Sequence, residues 1–158
     1  MTNVTEEVPW LSEREMSAWR SYMVATLMLR HRLHREMVAD HELSLADYEV
    51  LVYLSWEDGH RLRMTELAST LGSTKSRLSH QIRRMEREGL VRREPDPADK
   101  RGVVAAMTDS GRALLETAAP THVTGVREHI VDRLTPDEQT VMAKVFSKVL
   151  NHLTDLNR

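Results

Sequence analysis

The chain has 158 residues, with 22 Lys or Arg against 24 Asp or Glu, a net charge of −2, 41% hydrophobic residues, 4% aromatic residues and no cysteine. That length fits one domain with a core of Leu, Val, Ala and Met. The lack of cysteine excludes disulfides, zinc ribbons and thiol redox chemistry, and the charge balance argues against a uniformly basic coat.

The apolar runs fall well short of the roughly 20 residues that a membrane span needs. The acidic start from Met1 to Glu7 lacks a signal peptide's basic region, so no membrane partner is expected and the cytoplasm is the expected compartment. Ser12-Glu13-Arg14-Glu15 is a capping box. Met16, Trp19, Met23, Leu27, Arg30, Leu33 and Met37 then recur three or four apart, which predicts a helix to about Ala39. A second helix is predicted from Ser44, with Leu45, Tyr48, Leu51, Val52 and Leu54 inward and Gly59 as its stop.

Residues Met64 to Leu71 predict a short helix, and Gly72 permits a tight turn. Ser73 is the expected N-cap of the next helix, which runs to Glu88 with Gly89 as its left-handed stop. At about 100° per residue, Leu78, Ile82 and Met85 fall within roughly 60° of one another and should anchor this helix. Ser73, Ser76, Arg77, His80, Arg83, Arg84 and Arg87 project from the other side. They offer forked guanidinium donors and short hydroxyls suited to base edges and phosphates. Two β-prone runs, Leu90 to Glu94 and Val103 to Met107, flank a turn from Pro95 to Gly102 with Lys100 and Arg101 at its tip. An arginine placed there can enter a narrow minor groove, while Asp99 can orient it or close the turn.

Thr108 or Asp109 should open a helix bearing Leu114, Leu115 and Ala118, kinked at Pro120 and continued by Val123, Val126, Ile130 and Leu134. Thr135-Pro136-Asp137-Glu138 opens the last helix. It presents Met142, Val145, Phe146, Val149, Leu150, Leu153 and Leu156 on an apolar stripe that a small winged core cannot cover, so a second copy is expected. Between His60 and Arg93 nine Lys or Arg stand against three acids, an excess of six positive charges that leaves −8 for the remainder. Such a split favours one binding face for double-stranded DNA.

The run from Leu71 to Arg93, then Asp96 to Gly102, then Met107 to Gly111, resembles the multiple antibiotic resistance regulator (MarR) family of bacterial repressors. The resemblance implies a mainly α fold in which a winged helix-turn-helix with a small β-hairpin wing is flanked by N- and C-terminal dimerisation helices. It further implies an obligate homodimer, a reading helix in each major groove, a wing arginine in the minor groove and, often, a small-molecule effector. The whole chain, 1–158, is then one domain, with residues 44–108 as the DNA-binding lobe and residues 10–40 and 109–156 as the dimerisation region. The expected function is sequence-specific regulation at a near-palindromic operator, as a repressor.

The expected DNA-binding residues are Ser73, Thr74, Lys75, Ser76, Arg77, His80, Arg83, Arg84, Arg87, Asp99, Lys100 and Arg101. Candidates for an effector pocket are Trp19, Met23, His31, Tyr53 and Trp56, with Arg30 nearby. No cofactor or metal is expected, and no catalytic motif such as G-x-S-x-G, H-E-x-x-H or a P-loop is present, so an enzyme is not expected. The alternatives are a zinc- or other metal-responsive regulator using His31, His34, His41, His122 and His129, whose spacing is not diagnostic, and a winged-helix protein-interaction module.

Overall fold

A computed structural model describes residues 8–156; the acidic stretch Met1 to Glu7 and the side chain of Lys100 lie outside the described residues. The predicted capping box forms: Ser12 Oγ accepts from the Glu15 amide, and the Glu15 carboxylate accepts from the Ser12 amide at 2.8 Å. It opens helix α1, Glu13–His41, slightly longer than the periodicity predicted. Ser44 caps α2, Leu45–Trp56. Gly59 is not its stop. Glu57 already adopts extended backbone, and Gly59, at φ 67°, bends a separate 3₁₀ turn, Asp58–His60.

That turn delivers a strand the sequence did not announce, β1, Arg61–Arg63. It is followed by α3, Met64–Thr70, α4, Lys75–Arg87, β2, Val91–Asp96, and β3, Asp99–Met107. The three strands form an antiparallel sheet in the order β1-β3-β2, with Arg61 opposite Ala106 and Val91 opposite Met107. The wing is thus a hairpin with a third strand at its base, and its turn is shorter than predicted, because β2 runs through Pro95 to Asp96 across a register shift.

Helices α3 and α4 are joined by a tightly closed corner. Gly72, at φ 58°, donates its amide to Ser69, and Ser73 donates to Ala68 at 2.9 Å, which satisfies the last carbonyls of α3. Ser73 therefore finishes α3, and the N-cap of α4 falls one residue later than expected: Thr74 Oγ1 accepts from the Arg77 amide at 3.2 Å. The far end repeats the device, with Gly89 at φ 76° and the Leu90 amide returning to Met85.

Helix α5, Asp109–His129, capped by Thr108, runs unbroken past Pro120 and ends at a 3₁₀ turn, Val131–Arg133. Ile130 and Leu134 thus lie beyond it. A second capping box, between Thr135 and Glu138, opens α6, Pro136–Leu156.

The core lies under the winged lobe. Leu45, Val50, Leu51 and Leu54 of α2, Leu67 of α3, Leu78, Ile82 and Met85 of α4, and Val91, Ala105 and Met107 of the sheet close on one another. Leu33 and Met37 extend it into α1 and Ala118 into α5. Two glycines allow close approach of α5: a Cβ on Gly125 would stand 2.8 Å from Leu33, and one on Gly111 would overlap the Leu90 carbonyl oxygen. That carbonyl also accepts from the Thr108 amide and hydroxyl, so the first turn of α5 is seated on the end of α4. No residue of α6 is buried.

The Gly111→Ala substitution should therefore destabilise the protein by about 1–3 kcal/mol through overpacking, whereas Ser110→Ala, one residue away and exposed, should stay within about 0.5 kcal/mol of the parent. Denaturant midpoints of the two variants check this.

Candidate nucleic-acid interface

Helix α4 has two faces because its inner face is filled. Leu78, Ile82 and Met85 are fully buried, so the side chains opposite them must stand in solvent. Ser76, His80, Arg83 and Arg87 form one exposed ridge within roughly 60° around the axis. Thr74 and Lys75 are exposed at its N-terminal end and Ser73 is half-buried beside them. Arg77 is exposed on the flank that faces α2, where it shares a wall with Gln81.

Ion pairs divide the arginines of the lobe into two sets. The Arg93 amide and guanidinium both donate to Glu86, at 2.9 and 2.8 Å, and hold its carboxyl below the ordinary carboxylate range. Arg92 and Arg61 both donate to Glu94, whose carboxyl is lowered in the same way, chiefly by the Arg92 hydrogen bond. Arg63 pairs with the buried Asp96 at 2.5 Å. Arg84 reaches the buried Asp47 at 2.6 Å. Among the described residues, Lys75, Arg77, Arg83, Arg87 and Arg101 have no such acidic partner. The excess charge of the sequence is thereby concentrated on the α4 ridge, its flank and the wing.

Arg84, although its side chain is 47% exposed, is thus the one expected DNA-binding arginine of α4 whose guanidinium is tied to a side chain of α2. Asp47 was not singled out from the sequence, where it reads as an ordinary capping acid in the first turn of a helix.

At the wing the backbone is fixed before any ligand arrives. Asp96 accepts from the Ala98 amide at 2.8 Å, and Asp99 accepts from the Arg101 amide at 2.9 Å, the turn-closing bond that its position suggested. A Cβ on Gly102 would stand 2.8 Å from the Asp96 side chain. Arg101 is left exposed at the end of this braced hairpin.

A cleft of about 720 Å³ lies between α2, the α3–α4 corner and α5. Of the effector candidates it takes Tyr53 and Trp56, packed edge to face at 5.0 Å. It does not bring in Trp19, Met23 or His31, which belong to α1 away from it. Trp19 instead meets Tyr22, and Tyr22 meets Phe146 of α6 at 5.3 Å. Arg30, expected nearby, does line the cleft, joined to Glu49 by two hydrogen bonds of 2.6 and 2.9 Å; Glu49, Tyr48 and His122, the rings of the last two 4.6 Å apart, are residues that sequence spacing could not assemble there. Burial lowers the His122 pKa below its ordinary value.

Three other histidines of the metal-binding alternative have hydrogen-bond partners within the chain. His41 bonds Thr121, His129 bonds Glu36, and His34 Nδ1 accepts from the Leu45 amide. Among the described residues no three His, Asp or Glu side chains form a group that could hold a metal ion, and no helix is long and apolar enough to cross a membrane.

Comparison with known proteins places this geometry. A model of the MarR family matches residues 41–102. Transcriptional regulator HosA of Escherichia coli is 34% identical over 110 residues, which are 70% of this chain and 79% of HosA. The crystal structure of AbsC, a MarR family transcriptional regulator from Streptomyces coelicolor, superposes with a TM-score of 0.85 at 40% identity, covering 94% of this chain and 99% of AbsC. A second MarR family regulator of that organism, crystallised in complex with DNA, gives 0.86 at 41% identity over 93% of this chain and 92% of its own.

The division of the arginines predicts two different phenotypes in the wing. Arg101→Ala should weaken duplex binding by about 1–3 kcal/mol with unchanged thermal stability. Arg63→Ala, which strips the partner from a buried carboxylate, should lower the melting temperature first. Binding and melting curves on the same preparations distinguish them.

Proposed function

The chain belongs to the MarR family and is a DNA-binding transcriptional regulator, and from that premise we propose that it works in the cytoplasm as a homodimeric repressor on a near-palindromic operator. The observation that carries the reading is the ridge of arginines without an acidic partner among the described residues, on a helix whose opposite face is fully buried. Such a helix can enter a major groove without rearranging its own domain.

In this reading Ser76, Arg77 and His80 meet base edges. Ser73, Thr74, Lys75, Arg83 and Arg87 meet phosphates and set the register. Arg101, with Lys100 beside it, enters the flanking minor groove on the wing that Asp99 shapes. Occupancy of a promoter by such a dimer blocks polymerase without further machinery, which is why repression is proposed.

The dimer is supported by α6 and the segment that precedes α1. Val141, Val145, Phe146, Val149, Leu150 and Leu153 are all exposed in the single chain, as are Trp10 and Leu11. Large apolar side chains left exposed in such number mark an interface, and two-fold pairing would set two reading helices about one helical turn of DNA apart, roughly 34–36 Å. The residues 44–108 then act as the DNA-binding lobe and the outer helices as the dimerisation region of one domain. The cleft beside α4 supports release by a small molecule: an occupant would touch Tyr53 and Trp56 of α2 and Arg77 of α4 together, and so bias the position of the reading helix.

Selection of bound sequences from random duplex DNA tests the operator: two half-sites in inverted repeat are expected, and a single unrepeated site would overturn the dimeric reading. Replacing Leu150 and Leu153 together by Asp buries charge against charge across the proposed two-fold. The expected result, by sedimentation and binding on one sample, is a folded monomer whose operator affinity falls toward the non-specific level, a loss of about 4–10 kcal/mol in specific discrimination. A double variant that stays dimeric would place the interface elsewhere.

A further inference from the structure

We propose that Asp47 is a positioning residue for DNA reading: it fixes the orientation of α4 about its own axis, and Arg84 acts on operator recognition through Asp47 rather than through contact with DNA. The inference rests on the reading of α4 as the DNA-contacting helix and adds a role for two residues on its protein side.

Asp47 sits in the first turn of α2 with 5% of its surface exposed. Its Oδ1 accepts from Gln81 Nε2 at 3.0 Å and Arg84 Nη2 at 2.6 Å, and its Oδ2 accepts from Ser44 Oγ at 2.7 Å and the same Arg84 nitrogen at 2.6 Å. Two of these donors, Gln81 and Arg84, lie one turn apart on one flank of α4. A buried carboxylate is tolerable only when its lone pairs are filled this way, so α4 is the element that satisfies α2.

The apolar contacts of Leu78, Ile82 and Met85 hold α4 to the lobe without directional preference. Three charge-assisted or polar bonds to a fixed carboxylate do have direction. They select one rotation of the helix among those that the apolar contacts would allow, and that rotation decides where Ser76, His80 and Arg87 point. Arg84 is further compensated by Glu88 at 3.9 Å. Its charge is met twice within the protein, whereas Arg83 next to it has no acidic partner among the described residues.

Phosphate ligands and positioning residues leave different marks on the salt dependence. Removing one phosphate contact lowers the slope of log affinity against log salt by about one on any duplex, because one fewer counterion is released. Removing a positioning bond leaves that slope and the affinity for unrelated DNA alone and lowers the preference for the operator.

The test compares Asp47→Asn, Arg84→Gln, their double variant and Arg83→Ala on a selected operator and on an unrelated duplex of equal length, across a salt series, with melting curves to confirm folding. Asp47→Asn and Arg84→Gln should each lower operator affinity roughly tenfold, the scale of one hydrogen bond to a charged group. Unrelated-duplex affinity and slope should not change. The double variant should lose no more than either single one, Arg84→Lys should recover part of the loss, and Arg83→Ala should weaken both duplexes with the reduced slope.

An Arg84→Gln variant with a slope lowered by about one, or an Arg84→Gln loss that adds in full to that of Asp47→Asn, would overturn the inference. If Asp47→Asn does not fold, the slope and specificity of Arg84→Gln decide alone. Wild-type binding insensitive to salt would overturn the DNA-reading role of α4 itself, and the inference with it.

Discussion

Burial of Leu78, Ile82 and Met85 against α2, α3 and the sheet is the constraint on which the functional surface depends. Each is fully inaccessible, and burying such a side chain is worth about 1.5–3 kcal/mol. The helix therefore cannot turn over, and whatever lies opposite that face is held in solvent. Gly72 and Gly89 bound the helix at both ends with left-handed residues that return the chain at once to packed structure. The result is a short, stiff rod with a polar ridge, set on the buried core of its own lobe.

Electrostatics then sorts what the ridge can offer. Acids drawn from outside α4 or from its inner flank, namely Asp47, Glu86, Glu94 and Asp96, take up Arg84, Arg93, Arg92, Arg61 and Arg63. These pairs brace the wing and the helix against each other. Lys75, Arg77, Arg83, Arg87 and Arg101 remain for an external anion. A chain of net charge −2 can thus present a local positive field without a basic body, which suits approach to a polyanion from one side.

Much of this was legible in the sequence because it is local. Capping boxes, the glycine stops after α3 and α4, the 3.6-residue periodicity and the turn chemistry of the wing each act within a few residues, and the helices followed them closely. The misses are long-range. Arg61-Leu62-Arg63 is too short to read as a strand and becomes one only because Ala105 and its neighbours on β3 offer a free edge. Ser73 reads as an N-cap until its amide is spent on Ala68. Arg84 has the same composition signal as Arg83, and only the position of Asp47 on another helix separates their roles. The effector candidates were drawn from α1 and α2 as if both lined one space, yet α1 sends Trp19 toward Tyr22 and α6 and contributes only Arg30 to the cleft, beside Tyr53 and Trp56 of α2.

Hydroxyl-radical footprinting of the protein on a selected operator tests the central claim most directly, since it reports where α4 and the wing lie on the duplex. Two protected tracts centred about 10 base pairs apart, each flanked outward by a protected minor groove, are the predicted pattern, with the flanking protection lost in Arg101→Ala and the central tracts retained. A single protected tract, or a pattern unchanged by loss of the wing arginine, would contradict the account.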